Sequence, residues 1–145
     1  MPKHQEKRAL PFKPEQLFDL VADIARYPEF LPWCKGARIL KREGNLVTAD
    51  LIIGYKMFQE KFTSRVTLDP PRRISVEYLS GPLSSLKNEW GFRPNGKGGC
   101  DLSFDVEFDF RSRVLGGMME MFFEKAISKM AEAFEKRAYE LYGKG

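Results

Sequence analysis

Histidine is nearly missing: the 145-residue chain has one, His4, in a polar stretch near its start. A serine–histidine or cysteine–histidine nucleophile pair would have to use it, and nothing around it suggests so. The same count rules out multi-histidine metal sites. Cysteine is almost as scarce. Cys34 and Cys100 stand far apart and form no C-x-x-C pair, so zinc and dithiol motifs are missing. They read as two buried or free thiols, with a disulfide left open. No apolar run approaches the roughly 18 residues of a membrane-spanning helix. The start, MPKHQEKRALPF, lacks the apolar core of a secretory leader, so a cytoplasmic protein is expected. No G-x-x-x-x-G-K-[ST] or G-x-G-x-x-G loop occurs, and the Gly96, Gly98, Gly99 cluster reads as a hairpin turn. Catalysis would have to rest on carboxylates, tyrosines or the bound molecule itself. Neither an enzyme nor a resident cofactor or metal is expected.

Aromatics, by contrast, are abundant: twelve Phe, five Tyr and two Trp, 13% of the chain. That exceeds what a small core needs for filling and points to a large apolar cavity or contact surface. With 43% hydrophobic and 30% charged residues, the composition is that of a folded protein, and the length suits one domain over residues 1–145. The net charge of +4 is compatible with anionic membranes or nucleic acid and diagnostic of neither.

Periodicity divides the chain into three parts. Residues 3–10 are polar and suit an edge strand. Pro14 and Glu15 then open a helix, where Leu17, Phe18, Val21, Ile24 and Ala25 recur at helical spacing to about residue 25, before Pro28. From 34 to 110 the period is two. The clearest run is DLSFDVEFDF, 101–110, in which Leu102, Phe104, Val106, Phe108 and Phe110 alternate with acidic and polar residues. This predicts an antiparallel sheet of six or seven strands with one dry face. Residues 112–142 predict a single helix with a broad apolar face. Leu115, Met119, Phe122, Ala126, Met130, Ala133, Arg137 and Leu141 mark its stripe, and Met118, Phe123, Ile127, Phe134 and Ala138 widen it. Only the dry face of the sheet can bury such a helix. The expected fold class is α+β: a curved antiparallel sheet wrapped around a long C-terminal helix, with short helices after the first strand.

Some polar residues share the parity of apolar ones: Glu60 and Ser64 with Phe62, and Asn88 with Leu86 and Trp90. Either a strand end or bulge turns them outward, or they supply the few polar contacts of an apolar pocket. Asp101, Asp105, Glu107 and Asp109 form a ladder on the wet face, with Lys61 and Arg65 as expected counter-charges. The segment RVLGGMMEMFF, 113–123, sets Gly116-Gly117 before three methionines and two phenylalanines. It reads either as core packing or as a lid hinged at the glycines. The stretch YPEFLPWCKG, 27–36, is too apolar for a surface loop and too rich in proline for a helix interior.

Y-P-x-F-L-P-W-C at Tyr27–Cys34, G-P-L-x-x-L-x-N-x-W-x-F at Gly81–Phe92 and the phenylalanine-rich C-terminal helix together resemble the START-like polyketide cyclase/dehydrase superfamily. Within it the chain is similar to the coenzyme Q-binding branch, a relative of ribosome-associating toxin proteins. The resemblance implies a helix-grip fold and a cavity between sheet and helix for ubiquinone or another prenyl lipid, in support of respiratory electron transport. On that reading Asn88, Ser64 or Trp90 would meet the quinone head. Phe62, Leu86, Phe104, Met118, Met119, Phe122, Phe123 and Ile127 would wall the tail, and Phe30, Leu31 and Trp33 would form the entrance. A peripheral contact with the cytoplasmic face of the inner membrane is expected, and no DNA partner. Two alternatives stand: a toxin that binds a ribosomal subunit, with Lys35, Arg38, Lys41, Arg42, Arg72 and Arg73 as basic contacts, and a polyketide cyclase or aromatase using Glu60 or Tyr55.

Overall fold

The computed structural model describes residues 3–55, 58–110, 121, 122 and 124–143. Seven strands form one antiparallel sheet: β1 (Lys3–Leu10), β2 (Cys34–Glu43), β3 (Leu46–Tyr55), β4 (Phe58–Asp69), β5 (Arg73–Ser80), β6 (Leu83–Pro94) and β7 (Cys100–Phe110). Their spatial order, β1-β7-β6-β5-β4-β3-β2, is a meander from β2 to β7 whose far side is closed by β1. The first strand is thus an edge, as its polar composition predicts. The alternation in β7 is realised in full where side chains are described. Leu102, Phe104, Val106 and Phe108 are buried on the dry face, while Asp101 and Asp105 are exposed.

Two short helical segments follow β1. Helix α1 (Pro14–Ala22) starts with proline at its first position, and the Lys13 N–H donates to Gln16 Oε1 at 3.0 Å. It ends three residues earlier than the spacing predicts. The Tyr27 hydroxyl donates to the Val21 carbonyl, so the backbone leaves the α-helical ladder there. A 3₁₀ turn, Ile24–Glu29, then carries the chain through Pro28.

The C-terminal helix departs from a single continuous rod. Residues 121, 122 and 124–128 are helical, Lys129 is a turn, and α2 (Met130–Tyr142) follows. The Lys129 N–H bonds to the Ala126 carbonyl three residues back, at 3.2 Å, and Ser128 Oγ donates to the Lys125 carbonyl at 2.8 Å. Side-chain competition for a helical carbonyl of this kind bends helices. Beyond the break the buried stripe is Ala131, Phe134 and Ala138, and Leu141 is 48% exposed rather than part of it. Residues 111–120 and 123 lie outside the described residues, as do the expected glycine hinge at Gly116-Gly117 and the side chains of Tyr55, Phe58 and Phe110.

Helix α2 is tied at several points. Tyr142 Oη donates to the Gln16 carbonyl in α1 at 2.8 Å, and Phe12 meets Tyr139 edge to face at 4.9 Å. Arg8 of β1 bonds Glu135 at 2.8 Å.

Candidate functional site

Sheet and helix enclose a cavity of about 140 Å³. Its floor is the dry face of β3 to β7: Ala49, Leu51, Ile53, Phe62, Ser64, Val66, Ile74, Val76, Tyr78, Leu86, Asn88, Trp90, Phe104 and Val106. The roof and one end are Ile24, Tyr27, Leu31, Trp33, Cys34, Ala126, Ile127, Met130 and Phe134. Period two along each strand puts the floor residues on one face, and the antiparallel register aligns them across strands. Ser64 stands opposite Tyr78, and Val76 opposite Asn88. Ser64, Tyr78 and Asn88 are thus three polar side chains on three successive strands of an otherwise apolar floor.

Of the sequence-predicted residues, Leu31, Trp33, Phe62, Ser64, Leu86, Asn88, Trp90, Phe104 and Ile127 line the cavity. Phe30 and Phe122 do not. Phe30 instead packs outside, edge to face on Phe134 at 5.0 Å, with the Arg137 guanidinium 5.3 Å from its ring centre. Met118, Met119 and Phe123 lie outside the described residues. The polar pair resolves in two ways: Ser64 faces the cavity, whereas Glu60 is exposed near the start of β4. Sequence reasoning placed Phe134 only on the helix stripe, and carried Tyr27 only as part of the stiff YPEFLPWCKG segment; both line the cavity. Phe134 is 2% exposed and collects Tyr27 at 5.3 Å, Phe30 and Trp90 at 5.0 Å. YPEFLPWC is thus the end wall that closes round one helix phenylalanine; its aromatic spacing was the available signal.

Hydrogen bonding within the chamber is only partly complete. Asn88 Nδ2 donates to the Asp105 carbonyl at 3.0 Å, and among the described residues its second N–H and its Oδ1 have no partner. Tyr78 Oη accepts from the Leu83 N–H at 2.8 Å. Cys34 Sγ donates to the Gly36 carbonyl at 3.4 Å. The Ser64 hydroxyl has no hydrogen-bond partner among the described residues. Among the described residues no Asp, Glu, Lys, Arg or His lines the cavity. Burial pushes the Tyr27 phenol far up, reinforced by Cys34 and Asp23 nearby, and it pushes the Cys34 thiol up too. At neutral pH the chamber carries no charge on its described lining.

The carboxylates of the wet-face ladder do not converge: among the described residues no group of three or more potential metal ligands comes together. Nor do Lys61 and Arg65 balance it, because β5 and β6 separate β4 from β7. Arg65 pairs with Glu77 at 3.1 Å, while Lys87 and Arg93 stand opposite Glu107 and Asp101. Cys34 and Cys100 are free and buried. No helix among the described residues is long and apolar enough to cross a membrane.

Residues 10–135 match the model of a family described as polyketide cyclase / dehydrase and lipid transport. The chain belongs to this family. Its relatives carry different names. The ribosome association toxin RatA of Rickettsia prowazekii is 41% identical over 141 residues, 94% of this chain and 96% of that one. The mitochondrial coenzyme Q-binding protein COQ10 homolog B of Xenopus laevis is 31% identical over 98% of this chain, which spans 60% of that protein. Among solved structures, the Zhui aromatase/cyclase of Streptomyces sp. R1128 superposes with a TM-score of 0.82 over 94% of this chain and 93% of that one, at 18% identity. That likeness speaks for the helix-grip fold alone.

Proposed function

We propose that this member of the polyketide cyclase/dehydrase and lipid-transport family is a carrier for a prenyl quinone of the ubiquinone class, held between sheet and helix and not chemically altered. The observation that carries the reading is the chamber itself: apolar, with no charged group among the described residues of its lining, and with Ser64 and Asn88 offering hydrogen bonds on its floor. A quinone head presents two carbonyl acceptors on a flat ring, and those are the groups such a floor satisfies. An apolar cavity of about 150 Å³ holds one benzene ring, so about 140 Å³ is the scale of one bare ring and excludes a long tail; the methoxy and methyl groups of a ubiquinone head would have to displace part of the wall. Trp33 lines both the chamber and an outer groove of about 470 Å³ beside α2, which gives the tail a way out past one side chain. The relative named as coenzyme Q-binding supports the same ligand class.

A carrier rather than a catalyst is supported by the ionisable groups of the lining. General acid–base work is best done by a group with a pKa near the working pH, and Tyr27 and Cys34 are both shifted away from it. Glu60, the acid–base candidate of a cyclase reading, is exposed. Mass spectrometry of an organic extract of the protein purified from its native host tests the proposal. Co-purified prenyl quinone is the expected result; an empty protein, or one holding a different lipid class, overturns it.

A second reading, association with a ribosomal subunit, is favoured by the 41% identity to the Rickettsia relative. Salt-dependent cosedimentation with purified subunits would support it. The two functions are not exclusive on one chain, since the chamber and the outer surface are separate.

A further inference from the structure

We propose that the bulged outer edge of β2 is a docking surface for an anionic lipid bilayer. Strand β2 is an edge of the sheet, paired only with β3. Its register is broken between Ile39 and Lys41, which leaves Leu40 with no partner on β3. Leu40 is 46% exposed and Ile39 38%. Around them Lys35, Arg38, Lys41 and Arg42 are all exposed.

These cations are little used by the fold. Lys41 pairs with Glu43 at 2.7 Å, and Lys35 donates to the Pro32 carbonyl at 3.0 Å. Arg38 stands opposite Asp50 in the register, yet Asp50 Oδ1 accepts from the Thr63 hydroxyl. Among the described residues neither Arg38 nor Arg42 has an ion-pair partner. Charges and a bulge on an edge strand are ordinary protection against pairing with another chain. Two exposed aliphatic side chains at the bulge are the reverse of protection. An apolar wedge flanked by cations is what an anionic membrane surface binds: the wedge enters the acyl boundary and the cations meet headgroup phosphates. RNA is a poorer fit, because β2 carries no aromatic side chain for bases to stack on.

The position agrees with this occupant. Strand β2 begins at Cys34, a cavity residue, directly after Trp33. A bilayer lying along the whole length of β2 would also meet the Trp33 wall, and an indole is well placed at headgroup level. The surface does not depend on which molecule the cavity takes.

Cosedimentation of the full chain with phosphatidylcholine vesicles, with and without phosphatidylglycerol, tests the inference. The expected result is binding only to the anionic vesicles. Neutralising both free cations, Arg38→Gln with Arg42→Gln, should weaken it about 25-fold, at about fivefold per charge. Leu40→Ser keeps every charge and should weaken it roughly tenfold. Leu40 is exposed, so circular dichroism should show both variants folded. Absence of binding to anionic vesicles overturns the inference, as does Leu40→Ser binding as well as the parent. So does a parent chain that uses this edge only to dimerise or to hold ribosomal RNA. Quinone content unchanged in both variants separates this surface from the cavity reading.

Discussion

The Trp90 indole and the Phe134 ring meet at 5.0 Å between centroids, with their planes inclined by 67°. One belongs to the centre of the sheet and the other to the C-terminal helix. Trp90 also lies 4.4 Å from Phe104, so a line of aromatic rings runs from β7 through β6 to α2 and on to the YPEFLPWC wall. Edge-to-face contacts of this kind add to what burial already contributes.

Phe134→Ala should therefore be among the most costly single changes, at about 3–5 kcal/mol, read as a lower denaturation midpoint with an unchanged slope. Phe134→Leu keeps most of the volume and should cost clearly less. Equal, small losses in the two variants would show that the ring is not the pivot between helix and sheet.

Acid sensitivity should trace in part to Glu6. Burial raises its pKa, but hydrogen bonds from His4 at 3.0 Å and Arg8 at 2.5 Å, with the Arg8 charge, outweigh it and hold the carboxyl below its ordinary 4.5. A depressed carboxylate stabilises the fold above its unfolded pKa, and that contribution is lost as pH falls through the folded value. Glu6→Gln should be less stable than the parent at pH 7, with the gap closing below about pH 4. Thermal unfolding measured across that range checks it; a gap constant with pH would assign Glu6 a packing role only. Because Arg8 also holds Glu135 of α2, the same variant should loosen the helix at this edge.

The thiols should be inert in the folded protein. Burial pushes Cys100 up to about 11 and raises Cys34 as well; two units from an ordinary 9.0 lower the thiolate fraction roughly a hundredfold at mildly alkaline pH. Titration with a thiol-reactive dye at pH 8 should be slow in the native state and should count two thiols in guanidinium. In a Cys100→Ser variant, a quinone in the cavity should slow Cys34 labelling further, since Cys34 is part of the lining. Fast native labelling of Cys34 would place it outside a closed chamber.

The sheet was legible because a strand writes its burial locally. In β7 every second residue is apolar, and pairing with β1 and β6 only reinforces that choice. The floor positions Phe62, Ser64, Asn88, Trp90 and Phe104 followed from the same parity. What period two could not tell apart was Glu60 from Ser64: both have the right parity, but one lies nearer the strand end, and depth along a strand is a tertiary property. The side taken by Phe30 was hidden for another reason. It follows a 3₁₀ turn containing a proline, where neither helical nor strand phase applies, so Leu31 enters the cavity and Phe30 packs outside. The break at Lys129 depended on one hydroxyl, Ser128, taking a backbone carbonyl. Phe134 read as one apolar stripe residue among many until three elements packed round it.

Tryptophan emission offers a direct test of the ligand reading. The chain has two tryptophans, both line the cavity, and Trp90 is only 3% exposed. A quinone ring seated on Ser64 and Asn88 would lie within contact distance of the Trp90 indole and quench it. Titration with a short-chain ubiquinone analogue should therefore reduce emission, and Trp33→Phe should retain that quenching, because Trp33 forms the wall rather than the floor. The tail supplies a second comparison. Because the chamber suits a ring alone, one isoprene unit should strengthen binding only by reaching the groove beyond Trp33. At about 0.8 kcal/mol per buried CH₂, even two buried carbons would give roughly tenfold over a tail-free quinone. Equal affinity for the two compounds would mean that the tail stays in water and that Trp33 is not its exit. Quenching lost in Trp33→Phe, with Trp90 emission unaffected, would move the ligand out of the chamber and onto the outer groove.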